Sequence, residues 1–134
     1  MHRPISHQAR RGPHRAWVAI VLVALIATAC GGSASPPPTY PPGSIVLTAK
    51  DRKFSTTELR VPAGVPFTLV FVNEDGDTHN VAIRTKPGFD GDLIVRHDPI
   101  AASTVILSVG AIPAGTYYFL CEVHPSMTGT VLAN

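Results

Sequence analysis

Cysteine and methionine are scarce in this chain: two of each in 134 residues, Cys30 and Cys121, Met1 and Met127. One disulfide is the most it could form, so a cysteine-stapled scaffold is excluded. Long hydrophobic runs are also missing. The apolar run at residues 16–29 has 14 residues, short of the roughly 20 that span a bilayer as a helix. No convincing helical period occurs after residue 44, which argues against a helical bundle. Basic clusters are absent from the same stretch. Four of the 11 Lys and Arg residues, Arg3, Arg10, Arg11 and Arg15, precede residue 31, which leaves seven against nine Asp and Glu, a net charge near −2 for residues 31–134. Nothing there would neutralise a phosphate track, and nucleic acid is not an expected partner. Catalytic constellations are lacking too: no Ser/His/Asp set or carboxylate pair stands out, so an enzyme is not expected.

What is present divides the chain into three parts. Arginines ahead of an apolar run give residues 1–30 the form of an export signal. Its end, Ile26-Ala27-Thr28-Ala29-Cys30, resembles the lipobox of bacterial lipoproteins, with Ala27 where leucine is usual. That resemblance implies acylation of Cys30 and a lipid anchor on the membrane, with the protein facing the periplasm or the cell exterior. An uncleaved anchor and a freely secreted protein are the alternatives. Arg10-Arg11 is followed by Gly12-Pro13 rather than the hydrophobic residues of a twin-arginine signal. Residues 31–43, with Pro36-Pro37-Pro38 and Pro41-Pro42, form a semi-rigid linker. At about 3.1 Å per residue it reaches roughly 40 Å, enough to clear the lipid head groups. With Cys30 assigned to the membrane, Cys121 has no disulfide partner. An unpaired thiol outside the cytoplasm is prone to oxidation unless it is buried or metal-bound.

Residues 44–134 read as one all-β domain, a β-sandwich of about seven to eight strands. Strands are expected at 45–49, 58–61, 66–73, 80–84, 104–108, 116–121 and 130–133. Turns are marked by Pro62-Ala63-Gly64, Glu74-Asp75-Gly76-Asp77, Pro87-Gly88 and Pro113-Ala114-Gly115. Asp-Gly and Asp-Pro steps interrupt residues 89–102, which read as a long connection. The two-residue period of a strand places Tyr117, Phe119 and Cys121 on one face and Tyr118, Leu120 and Glu122 on the other. His79 shares parity with Val81 and Ile83, so burial of those two would point it inward. Two strand ends would then converge on one spot.

Cys121, His124 and Met127 follow one another at three-residue intervals directly after an aromatic run. Thiolate, imidazole and thioether are soft donors, suited to the Cu(I)/Cu(II) couple rather than to calcium, magnesium or manganese. His79 is the stronger candidate for a second imidazole, whereas His97, between Arg96 and Asp98, reads as a solvent-exposed residue. Each donor alone has a duller reading: Met127 as a core filler, Cys121 as a small buried hydrophobe, His79 as a turn residue. Spacing and strand phase together favour the metal.

The segments Asn73-Glu74-Asp75-Gly76-Asp77-Thr78-His79-Asn80-Val81 and Gly115-Thr116-Tyr117-Tyr118-Phe119-Leu120-Cys121-Glu122-Val123-His124-Pro125-Ser126-Met127 resemble the cupredoxins, the type 1 or blue copper proteins. The resemblance covers about residues 44–134 and is nearest the amicyanin and plastocyanin branch, with the short Cys-His and His-Met gaps most like amicyanin. It implies a Greek-key sandwich holding one copper ion, with His79, Cys121 and His124 as a trigonal set and Met127 as a weak axial ligand. It also implies that Asn80 ties down the cysteine loop. Glu122 stands where the family often has Ser or Thr, which puts the side-chain part of that role in question and adds a negative charge beside the metal. By the same resemblance the protein is a monomeric one-electron carrier between donor and acceptor proteins. Docking is expected at the His124 end, where Pro125 and Pro87 would supply an apolar patch, because the tyrosine that forms a remote docking site in plant plastocyanins is replaced by Leu120. A copper-delivery module without electron transfer is the alternative, though one cysteine and one methionine in the domain leave no spare soft ligands.

Overall fold

The computed structural model describes residues 37–134, which form nine strands and no helix. The expected signal peptide, the expected lipidation site at Cys30 and the first part of the expected linker lie outside the described residues. The strands are β1 (Ile45–Lys50), β2 (Lys53–Phe54), β3 (Glu58–Val61), β4 (Phe67–Asn73), β5 (Ala82–Arg84), β6 (Leu93–Arg96), β7 (Thr104–Val109), β8 (Gly115–Leu120) and β9 (Thr128–Ala133). They form two sheets, one ordered β2-β1-β4-β7 and the other β3-β9-β8-β5-β6. Pairing is antiparallel except for β1 with β4 and β3 with β9, so each sheet contains one parallel join made by a crossover.

The core lies between the sheets because alternate residues point there. Leu47, Leu69 and Phe71 from one sheet meet Ile83, Phe119 and Val131 from the other, all fully buried. Phe54 closes one side, its ring edge-on to Phe119 at 5.1 Å and to Phe71 at 6.4 Å, favourable geometry for ring quadrupoles. Phe119 lies over Gly129, its register partner on β9. A Cβ there would collide with the ring and stand 2.7 Å from the Thr57 carbonyl oxygen, so this position requires glycine.

Two features depart from the sequence reading. Residues 89–102 are not only a connection: Leu93–Arg96 form an edge strand against β5, with a register shift at Ile83/Arg84. The Asp-Gly and Asp-Pro steps bracket that strand rather than abolish it. The two-residue β2 pairs with β1 around a tight turn at Asp51-Arg52, both in left-handed conformation (φ 50° and 55°). That is the turn type matched to strand twist, normally taken by Asn-Gly, and it left no Gly or Pro signal to read.

Candidate metal centre

Three segments meet at one end of the sandwich. The turn after β4 is stapled by Asn73, whose Nδ2 donates to the carbonyls of Asp77 (2.8 Å) and Ile100 (2.6 Å) while its Oδ1 accepts the Asp75 N–H at 2.9 Å. His79 follows, fixed by a two-way backbone bridge with Ile100. Its neighbours Val81 and Ile83 enter the core, and the shared parity turns His79 inward to complete burial. Cys121 stands one residue beyond β8, also fully buried. The loop after it closes on itself, with the Cys121 N–H donating to the Met127 carbonyl and the Met127 N–H to the His124 carbonyl, both at 2.9 Å.

The structure thus brings together His79, Cys121 and His124. The two Nδ1 atoms are 3.1 Å apart, and Cys121 Sγ is 3.8 Å from that of His79 and 4.0 Å from that of His124. From those three sides, the point equidistant from the three atoms lies about 2.1 Å from each, within the roughly 2.0–2.3 Å span of nitrogen and thiolate bonds to a transition metal. The donor set therefore fits one transition-metal ion, which His79, Cys121 and His124 would hold. Met127 is buried in the same cluster as Cys121, directly after the loop. His124 is only half-buried, beside exposed Val123 and Pro125. The two imidazoles therefore differ: one is sealed inside and the other reaches the surface.

Residues not foreseen from sequence orient these donors. Asp75 Oδ2 is 2.9 Å from His79 Nε2, which fixes the ring with Nε2–H on the carboxylate and the Nδ1 lone pair facing the sulfur. Asp75 also accepts the N–H groups of Asp51 (2.9 Å) and Arg52 (3.1 Å). Those two bonds, and then His79, hold its carboxyl below the ordinary range against the opposing effect of burial. Its sequence signal was slight: an acid four residues before a histidine, within an acidic turn.

Asn80 is fully buried, and its side chain reaches the residue after Cys121. Its Oδ1 accepts the Glu122 N–H at 2.8 Å, and its Nδ2 donates to Glu122 Oε2 at 2.9 Å and to the His97 carbonyl at 3.1 Å. The Glu122 charge is not left bare. Arg84 Nη2 reaches Oε1 at 2.9 Å and Arg96 Nη1 reaches Oε2 at 3.2 Å. Burial raises the Glu122 pKa, but the bonds from Arg84 and Asn80 and the charge of Arg96 prevail and hold it below the usual carboxylate range.

His97 is not the solvent-exposed residue read from sequence. It is half-buried against Phe71, ring centroids 4.9 Å apart, with Nδ1 on the Asp98 carbonyl and Nε2 accepting the Val81 N–H at 3.1 Å. Both ring nitrogens are engaged, and it is no ligand. Desolvation pushes its pKa below the ordinary histidine value.

Comparison with known proteins agrees with this arrangement. A family model described as a cupredoxin-like domain matches residues 18–133. Amicyanin-alpha of Methylorubrum extorquens is 33% identical over 116 residues, covering 85% of this chain and 93% of its own. Amicyanin of Paracoccus denitrificans is 31% identical over 90 residues, 67% of this chain and 65% of its own. Among solved structures, auracyanin A of Chloroflexus aurantiacus, a "blue" copper protein, superposes with a TM-score of 0.60 at 23% identity, covering 68% of this chain and 98% of its own. A reduced amicyanin variant gives 0.56 at 26% identity, over 71% and 86%.

Proposed function

The chain belongs to the cupredoxin-like family, and from that premise we propose that it is a type 1 copper protein and a one-electron carrier, lipid-anchored through Cys30 outside the cytoplasmic membrane. His79, Cys121 and His124 would hold the ion, and Met127 would supply a weak thioether ligand. The observation that carries the reading is the triangle of two Nδ1 atoms and one Sγ with sides of 3.1, 3.8 and 4.0 Å. Bound there, copper supplies a Cu(II)/Cu(I) couple passing one electron per cycle.

The protein's part is to keep that triangle unchanged. Cys121 is fully buried and would bind a soft metal as its thiolate, giving up the thiol proton on binding. Asp75 holds the His79 ring, and Asn80 joins the residue after His79 to the residue after Cys121. Pro125 restricts the loop between His124 and Met127 by fixing φ. Little is free to rearrange, as an electron carrier needs. The half-exposed His124 edge, beside Val123 and Pro125, is where partner proteins would dock. Leu120 is 1% exposed and cannot serve as a remote docking residue.

Copper delivery is the competing reading, and reduction separates the two. Copper-loaded protein cycled repeatedly with a mild oxidant and reductant beside a Cu(I) chelator should retain its ion. Loss of copper to the chelator on first reduction would favour delivery instead. Met127→Leu should leave a coloured site with a raised potential; unchanged spectrum and potential would remove Met127 from the ligand set. For the anchor, fatty-acid labelling that disappears in Cys30→Ala supports lipidation, and persistent labelling refutes it.

A further inference from the structure

Glu122 makes the most charged contacts near the donors, yet it faces away from them. Strand alternation sends its side chain to the face opposite Cys121, the face shared by Asn80, Ala82 and Arg84. Register continues the row outward, since Ala82 pairs with Leu120 on one side and with Arg96 on the other. Arg84 and Arg96 thus project from neighbouring strands toward one carboxylate. Arg84 is itself pinned: its Nη1 donates to the Gly91 carbonyl at 3.1 Å, and its guanidinium carbon lies 5.6 Å from the centre of the Phe89 ring.

We propose that Glu122 is a positioning residue, whose ionic clasp with Arg84 and Arg96 holds the Cys121 loop in its ligating geometry before any metal arrives. This rests on the reading of Cys121 and His79 as ligands. Cys121 lies beyond the last β8 residue, outside the ladder, where its own N–H bond to the Met127 carbonyl is supplemented by the bonds of its neighbours. Glu122 makes four: its N–H to Asn80, and its carboxylate to Asn80, Arg84 and Arg96. A Ser or Thr there is too short to span both arginines. The Arg84 and Glu122 side chains are only 15% and 17% exposed, against 48% for Arg96. Salt screens the Arg84 pair least, and Arg84 is the dominant anchor.

The test uses metal-free full-length protein carrying Cys30→Ala, so that Cys121 is the only thiol. Because Cys121 is fully buried, a small aromatic disulfide reagent reads how often the loop opens. Glu122→Gln and Arg84→Gln should each raise the reaction rate about tenfold or more, the loss of one charge-assisted bond. The double variant should fall short of the combined effect of the two, because both remove the Arg84–Glu122 contact. NMR signals of His79 and Cys121 should broaden in the variants while those of Val131, in the core of β9, stay sharp. Unchanged rates with sharp His79 and Cys121 signals, or additive rate increases, would overturn the proposal. If Glu122→Gln does not fold because Arg84 is left unpaired, Arg84→Gln and the Glu122 amide of the unsubstituted protein decide. That amide must then exchange as slowly as the β8 amides, and rapid exchange contradicts the clasp. No copper is involved, so this result is separate from the copper reading.

Discussion

Asn80→Ala should be among the most damaging substitutions in the domain. The side chain is fully buried and makes three hydrogen bonds, of 2.8, 2.9 and 3.1 Å. Two are neutral bonds worth about 1 kcal/mol each, and the one to the Glu122 carboxylate is worth roughly 1.5–3 kcal/mol, for a total of about 4 kcal/mol. A domain of this size has a total stability of about 5–14 kcal/mol. Alanine also leaves the Glu122 N–H without its partner one residue from Cys121. Urea unfolding of the metal-free protein measures the loss: at a slope of about 1.3 kcal/mol/M, the midpoint should fall by about 3 M with no change of slope. A loss below about 1 kcal/mol would mean that water replaces all three bonds, and the view of Asn80 as the tie between the two ligand segments would be wrong.

Three further outcomes are expected. The depressed His97 pKa means that its neutral form stabilises the fold: the contribution is full above about pH 6.5 and is lost as pH falls through the lower folded value, by at most about 1.4 kcal/mol per pH unit. Urea midpoints of the parent and His97→Gln should therefore converge on acidification, and a difference that stays constant from pH 7.5 to about 4.5 would contradict this. Gly129→Ala should cost about 3 kcal/mol by overpacking against Phe119 and the Thr57 carbonyl, read as a lower thermal midpoint; an unchanged midpoint would show that the ring shifts freely. Asp75→Asn removes a negative charge hydrogen-bonded to His79 and should raise the copper reduction potential. A lowered potential would mean that Asp75 acts chiefly by some other route.

The parts of the fold legible in sequence were those governed by alternation. The phase of Phe119 and Cys121 and the shared parity of His79, Val81 and Ile83 followed from the two-residue period, and the structure buries all five. The edge strand Leu93–Arg96 was obscured because its flanking turn residues resemble those of a loop. The Asp51-Arg52 turn was hidden because neither residue usually adopts positive φ. At the site, the candidate donors were visible because Cys121 and Met127 are the only cysteine and methionine after residue 30 and His124 falls midway between them. Their supports were not, since Asp75, Arg84 and Arg96 are ordinary charged residues whose partners lie 4, 38 and 26 positions away. The exposed reading of His97 failed for a similar reason: charged neighbours suggested the surface, whereas Val81 and Phe71 draw the ring in.

The central claim is that His79, Cys121 and His124 form one type 1 copper centre. Its most direct test is the visible and EPR spectrum of protein loaded with one equivalent of Cu(II). The predicted result is an intense blue or green species, saturating at one copper per chain and abolished by Cys121→Ala. A colourless Cu(II) complex, or colour that survives Cys121→Ala, would contradict it.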